Sequence, residues 1–170
     1  VDALGSVTRY VLDAAGRPIE TIRPDGSKFS VELDSAGRIA SQTDPMGERT
    51  RFEYDSKGRQ KAVIDALGNR TTSDYDEAGR LIRRIDAAGR VTSFEYDAAN
   101  RQTAIIRPMG QRFETAYDLA GRVIRTTDAN GDTIKFDYDK LDRQITKQLP
   151  DGTTFQFTYT LTGKLETVTD

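Results

Sequence analysis

The chain has 170 residues, 25 of them basic and 27 acidic, for a net charge of −2, and 36% of its residues are hydrophobic. So even a balance excludes the one-signed footprint of a nucleic-acid binder or a membrane-surface protein, and no apolar run approaches the ~20 residues of a membrane-spanning helix. The absence of histidine and cysteine removes the commonest general base, thiol nucleophiles, disulfides and the usual zinc ligands. No cofactor is expected.

Taken in order, the chain repeats one pattern at a spacing of 21 residues, eight times without insertion or deletion. Leu12-Asp13 with Gly16-Arg17 and Leu33-Asp34 with Gly37-Arg38 open the series. The full mark then appears at Tyr54-Asp55 with Gly58-Arg59 and at Tyr75-Asp76 with Gly79-Arg80. It continues at Tyr96-Asp97 with Asn100-Arg101, Tyr117-Asp118 with Gly121-Arg122, and Tyr138-Asp139 with Asp142-Arg143. Tyr159-Thr160 with Gly163-Lys164 closes the series. A fixed period of 20 to 50 residues denotes a repeat architecture in which each unit contacts mainly its neighbours.

Midway between these marks stands a second, Asp-x-x-Gly in its fullest form, with glycines at Gly5, Gly26, Gly47, Gly68, Gly89, Gly110, Gly131 and Gly152. The two glycine columns hold all 14 glycines of the chain, and Asn100 and Asp142 fill the remaining slots. Asn and Asp are the side chains that best tolerate a left-handed backbone, so every slot is predicted at positive φ. Pro24, Pro45, Pro108 and Pro150 share one column two residues before a glycine, which is the second position of a type I turn.

The segments between turns read as strands. Thr50, Phe52 and Tyr54, then Thr92, Phe94 and Tyr96, then Ile134, Phe136 and Tyr138 alternate with Arg49, Arg51 and Glu53 or Lys135 and Asp137, the period-two pattern of a half-buried strand. The segments after Gly-Arg, such as Leu81-Ile82-Arg83-Arg84-Ile85, mix their faces but are too short for an ordinary helix and rich in Ile, Val and Thr. The prediction is an all-β fold of tandem 21-residue β-hairpin repeats, about sixteen strands in a long twisted antiparallel sheet that curls into a spiral ribbon. A parallel β-solenoid is the alternative; a propeller would show its signature every second unit, and no column does. One buried face is expected to carry the Tyr and Phe columns, so that Phe94→Ala and Phe136→Ala would each cost roughly 3–5 kcal/mol if fully buried. The array starts and stops at the same phase, at Val1-Asp2 and Thr169-Asp170. It reads as one array over residues 1–170, open at both ends and cut from a longer protein. Unblunted strand edges near Thr8 and Thr167 would then favour association at high concentration.

Several columns could carry chemistry. The tyrosines could stack a sugar or peptide, but Leu12 and Leu33 in the same column point to a packing role, with the hydroxyls bonded to water or to backbone at the turn. The Asp and Arg of each mark lie four residues apart and are read as a turn-capping Asp and an Arg covering the next unit's strand. Asp128-Ala129-Asn130-Gly131-Asp132 superficially matches the start of a calcium loop, yet its glycine is at the fourth place instead of the sixth. The carboxylates recur in turn slots instead of converging, so no catalytic residue, metal site or cofactor site is assigned.

Tyr-Asp-x-x-Gly-Arg, then Asp-x-x-Gly, then a Thr/Phe strand back to Tyr-Asp, resembles the Rhs or YD-repeat family over the whole chain, in its bacterial form more than in the animal teneurins. The resemblance implies a β-sheet strip spiralling into a hollow cocoon, within large secreted or cell-surface proteins. It also implies neighbouring repeats as partners and, in many members, a C-terminal toxin held inside the shell. Other members are described as wall-associated or carbohydrate-binding, so a module that adheres to surface glycans or proteins through outward residues such as Arg49 and Arg51 is the rival function. The family's self-cleaving aspartates lie in a segment that ends the shell. Asp44-Pro45-Met46-Gly47 is superficially similar to it, but it sits in phase with the other turn slots and receives no protease role.

Overall fold

The computed structural model describes residues 7–170. It contains sixteen strands and no helix among the described residues. They are β1 (Arg9–Leu12), β2 (Pro18–Ile22), β3 (Lys28–Leu33), β4 (Ile39–Thr43), β5 (Arg49–Tyr54), β6 (Gln60–Ile64), β7 (Arg70–Tyr75) and β8 (Leu81–Ile85). There follow β9 (Val91–Tyr96), β10 (Gln102–Ile106), β11 (Arg112–Tyr117), β12 (Val123–Thr127), β13 (Thr133–Tyr138), β14 (Gln144–Gln148), β15 (Thr154–Tyr159) and β16 (Leu165–Thr169). The chain divides into two compact units, one running up to Asp74 together with Arg84–Arg90, the other comprising Tyr75–Arg83 and Val91–Asp170.

In the first unit β1 to β7 pair antiparallel in chain order. In the second, β9 to β16 do the same. A parallel solenoid is thereby excluded: each strand's partners are its sequence neighbours, and their directions alternate. The expected Gly5 slot and the strand edge before Val7 lie outside the described residues.

Both turn types close in the same way. Gly58 N–H donates to Asp55 O at 3.0 Å and Asp55 N–H donates to Arg59 O at 2.8 Å; at the other mark Gly47 and Asp44 N–H groups make the matching bonds to Asp44 O and Glu48 O, both at 3.0 Å. This is a type I turn followed by one left-handed residue, the usual three-residue hairpin loop. Among the described residues the left-handed residue is a glycine thirteen times, and Asn100 (φ 64°) and Asp142 (φ 61°) adopt the same conformation, as the columns predict. Where the first turn residue is Arg23 or Leu149 instead of Asp, the capping carboxylate moves to the third place: Asp25 and Asp151 accept from the N–H of Ser27 and Thr153, each at 2.9 Å.

The hairpins closed by the Tyr-Asp turn contain a further device. Glu53 lies opposite Ala62 but Tyr54 lies opposite Gln60, leaving Lys61 outside the register, and the same shift recurs in β1/β2, β3/β4, β9/β10, β11/β12, β13/β14 and β15/β16. The pairs joined by the second mark show no shift. This β-bulge accounts for the mixed faces of the segments after Gly-Arg, because one extra residue interrupts strict alternation.

Directly opposed residues share a face, which sorts the strands into two surfaces. One carries Phe52 beside Val63 and Thr71, Phe94 beside Ile105 and Phe113, and Phe136 beside Lys147 and Phe155. The other carries Glu53 beside Ala62 and Thr72, and Glu95 beside Ala104 and Glu114. The expected buried aromatic face is corrected here. Phe52, Phe94, Phe113, Phe136 and Phe155 are all half-buried, and the buried described residues are Ser41, Ala62 and Ala104, each 2% exposed, on the polar face. The cause is architectural: within each unit strands touch only their sequence neighbours, so a ring is covered from the sides by adjacent strands but not from above.

The small residues are buried by ion pairs that arch over them. Glu53 on β5 reaches across β6 to Arg70 on β7 with two bonds of 2.6 and 2.8 Å. Glu95 on β9 reaches across β10 to Arg112 on β11 at 2.8 and 2.7 Å. Glu32 likewise meets Arg49 over β4, and accepts a bond from the Ser41 hydroxyl at 3.0 Å. Ser41, Ala62 and Ala104 lie beneath these bridges, where a larger side chain would meet the paired groups.

Candidate functional site: the turn ladder

The most ordered constellation runs along the Tyr-Asp turns. In each, one carboxylate oxygen caps the turn: Asp97 Oδ1 accepts from the N–H groups of Ala99 and Arg101, both at 2.9 Å, while Oδ2 accepts Arg101 Nε at 2.7 Å. The same Asp–Arg bond joins Asp55 to Arg59 and Asp76 to Arg80 at 2.6 Å, Asp118 to Arg122 at 2.6 Å, and Asp139 to Arg143 at 2.7 Å. The Asp97 carboxyl is held below the ordinary carboxylate range chiefly by the Arg101 backbone N–H, with partial desolvation opposing and the Arg101 side chain assisting. Asp34, Asp55 and Asp76 are lowered with the same leading cause, and Asp139 is lowered first by the Arg143 side chain.

Each Arg then reaches forward into the next repeat. The guanidinium of Arg101 lies 4.8 Å from the ring centre of Tyr117 and donates to Asp118 O at 2.8 Å. Arg38 stacks on Tyr54 at 4.5 Å, Arg80 on Tyr96 at 5.0 Å, Arg122 on Tyr138 at 4.9 Å and Arg143 on Tyr159 at 4.7 Å. Arg80 and Arg122 also bond the two non-glycine residues of the glycine column, Asn100 Oδ1 at 3.0 Å and Asp142 Oδ1 at 2.8 Å. The two exceptions to glycine thus give a side-chain acceptor to the preceding repeat. At Gly58 and Gly121 the preceding repeat's arginine would stand 3.3 and 3.7 Å from an added Cβ, while at Gly79 that space is open.

The tyrosine hydroxyls point backward. Tyr54 Oη donates to Ile39 O at 2.8 Å, Tyr96 to Leu81 O at 2.9 Å, Tyr117 to Gln102 O at 2.9 Å, Tyr138 to Val123 O at 2.8 Å and Tyr159 to Gln144 O at 2.7 Å. The acceptors Ile39, Gln102, Val123 and Gln144 each stand just before the bulge position of the preceding repeat. Tyr75, which closes β7, occupies the same column. The ring is therefore held between an Arg above and a bulge carbonyl behind it, which is a packing role and leaves no open aromatic ladder.

The residue columns read from the sequence converge into turns, not into a reaction centre. Among the described residues no group of three or more His, Cys, Asp or Glu side chains is placed to hold a metal ion. Asp128 Oδ1 accepts from Asn130 N–H at 2.9 Å and Asp132 N–H at 3.0 Å, and Asp44 Oδ1 accepts from Met46 and Glu48 N–H at 2.8 and 2.9 Å. Both aspartates are occupied as turn caps. Sequence reasoning allowed the tyrosine hydroxyls a backbone partner but did not place it in the preceding repeat, and it missed the Glu–Arg bridges. The bridges did leave a signal, since a small residue stands nine after each of Glu32, Glu53 and Glu95 and an Arg stands seventeen after.

Hairpins tied to their neighbours within each unit define a tandem-repeat β-sheet protein. The RHS Repeat family model matches residues 1–28, 34–73, 75–112 and 117–154, and the chain belongs to this family. Similar folds occur in the crystal structure of TcdB2-TccC3-Cdc42, with 18% identity over 96% of this chain and a TM-score of 0.75. The Photorhabdus luminescens Tc holotoxin pore carrying a TccC3 point mutation is similar at 18% identity over 96% of this chain, with a TM-score of 0.73. A TcdB2-TccC3 crystal structure is similar at 16% identity over 95% of this chain, with a TM-score of 0.57. This chain spans 11% of the length of each of those chains. No curated protein matches the chain.

Proposed function

We propose that the chain is a non-catalytic stretch of the wall of an Rhs shell, within a large secreted or cell-surface protein that encloses or presents a C-terminal toxin or effector. On this reading the eight repeats form one array that continues into further repeats, and the twenty residues of the five full Tyr-Asp turns, from Tyr54 to Arg143, define its structure. The carrying observation is the ladder itself: within each unit the arginine of one Tyr-Asp turn binds the tyrosine of the next, as Arg38 binds Tyr54 and Arg101 binds Tyr117, and these side chains are consumed in doing so. Family membership and the fold shared with segments of much longer TcdB2-TccC3 chains support the assignment. The half-buried aromatic face fits a wall that is sheltered on one side in the complete protein.

The test is the parent polypeptide. Its gene should encode further repeats and a C-terminal domain unrelated to them, and limited proteolysis of the intact protein should spare that domain while cutting it readily when it is expressed alone. A parent with no further repeats, or a terminal domain cleaved equally fast in both settings, would overturn the proposal.

A further inference from the structure

In the second unit the Glu95–Arg112 bridge over Ala104 does not recur in the repeats that follow it. Twenty-one residues after Glu95, Ala104 and Arg112 stand Ala116, Arg125 and Thr133. The acid is gone, the small residue beneath the bridge has become an arginine, and the bridging arginine has become a threonine. Arg125 lies opposite Ala116 on one side and Lys135 on the other. Directly opposed like charges repel, and both side chains are exposed. The nearby ion pairs involve other residues: Arg112 holds Glu95 and Glu114, each at 2.7 Å.

A hollow of about 620 Å³ opens at this point, lined by Ala116, Arg125 and Lys135 and by the polar side chains of Thr146, Gln148 and Thr154. That volume is within the ~300–1,000 Å³ of small-molecule sites. Asp137 is the one carboxylate in the lining, and it accepts the Thr146 hydroxyl at 2.5 Å. Two cations on directly opposed residues, neither in an ion pair, match an oxyanion in charge. The hydroxyl and amide groups alongside match a neutral polar carrier.

We propose that this hollow binds a phosphate or sulfate ester on a small polyhydroxylated molecule, with the oxyanion between Arg125 and Lys135 and the carrier's hydroxyls against Thr146, Gln148 and Thr154. The site rests on this chain's own residues and does not depend on the shell reading.

The test is an NMR titration of the ¹⁵N-labelled chain with glucose 6-phosphate, inorganic phosphate and glucose. Glucose 6-phosphate should shift the Arg125, Lys135 and Thr146 amides saturably, and glucose should not. Arg125→Gln and Lys135→Gln should each weaken binding by about tenfold, the factor carried by one charge-assisted hydrogen bond. Asp137→Asn should tighten it. Both Gln variants should melt no lower than the parent, because each removes one of two opposed like charges. Equal binding of inorganic phosphate supports the oxyanion site but overturns the polyhydroxylated carrier. Shifts that do not saturate, or that persist undiminished in the Arg125→Gln/Lys135→Gln double variant, overturn the site.

Discussion

Removing one oxygen from Tyr117 isolates the backward arm of the ladder. The Tyr117→Phe substitution keeps the ring beneath Arg101, 4.8 Å from its guanidinium, and deletes only the 2.9 Å bond to Gln102 O. A net protein hydrogen bond contributes about 0.5–1.5 kcal/mol, and because water can reach a half-buried site the expected loss is about 1 kcal/mol. For a chain of this size that is a fall of roughly 2–4 °C in Tm. Tyr117→Leu, copying Leu12 and Leu33, also removes the stacked ring and should lose about 0.5–1 kcal/mol more through the cation–π contact alone. Urea unfolding followed by circular dichroism gives the totals. Native-state hydrogen exchange gives the location, which matters because repeat arrays need not unfold as one unit. The loss should be concentrated in β10 to β12. Tyr10→Phe is the control, since Tyr10 is 62% exposed and outside the ladder column. If Tyr117→Phe matches the parent, or if Tyr10→Phe is equally damaging, the tie between ring hydroxyl and bulge carbonyl contributes nothing and the argument fails.

Phe94→Ala should cost about 1–2 kcal/mol in denaturant titration, because the ring is half-buried and even full burial of such a side chain is worth ~1.5–3 kcal/mol; a loss above about 4 would mean the face is covered. Asn100→Val places a β-branched residue at φ 64° and removes the acceptor of Arg80, so it should destabilise by about 1–3 kcal/mol, with Asn100→Gly falling between it and the parent in a thermal melt. The ladder carboxylates Asp34, Asp55, Asp76, Asp97 and Asp139 all have lowered pKa values in the fold. Their stabilisation is therefore complete above the ordinary carboxylate pKa of about 4 and is lost as pH falls below it. Tm should be level from about pH 5 to 7 and drop below pH 4, and a decline starting near pH 6 would contradict the assignment.

Fold class was legible because two signals coincide in every repeat: the glycine slots, where even the substitutes Asn100 and Asp142 obey the same backbone demand, and the alternation from Thr50 to Tyr54. The bulge was not legible. Ile124 and Lys61 look like irregular strand residues in sequence, and only the pairing shows that they stand outside the ladder of hydrogen bonds. Burial was misjudged for a related reason. Alternation tells which side chains share a face, as Phe94 and Phe113 do, but not whether anything lies above that face. The positions that are buried, Ala62 and Ala104, are inconspicuous small residues whose burial depends on partners nine residues before and eight residues after them. At the turns, Asp and Arg four apart suggested a turn cap and an Arg laid over the next unit's strand. The particular partners the arginine meets there, a tyrosine ring and a turn carbonyl, require knowing how consecutive hairpins lie side by side.

The ladder has a direction. Arg101 caps its own turn but finds its ring and carbonyl in the repeat that follows, at Tyr117 and Asp118, while the tyrosine of that later repeat reaches back to Gln102. Each hairpin can thus close its own turn alone, but its arginine is fully engaged only when the next hairpin arrives from the C-terminal side. Among the described residues the ladder's ties span at most 20 residues, so loop closure takes little entropy and no distant segment has to be awaited. A polypeptide of this kind suits assembly from its N-terminal end as it is synthesised, with every newly made hairpin locking the one before it.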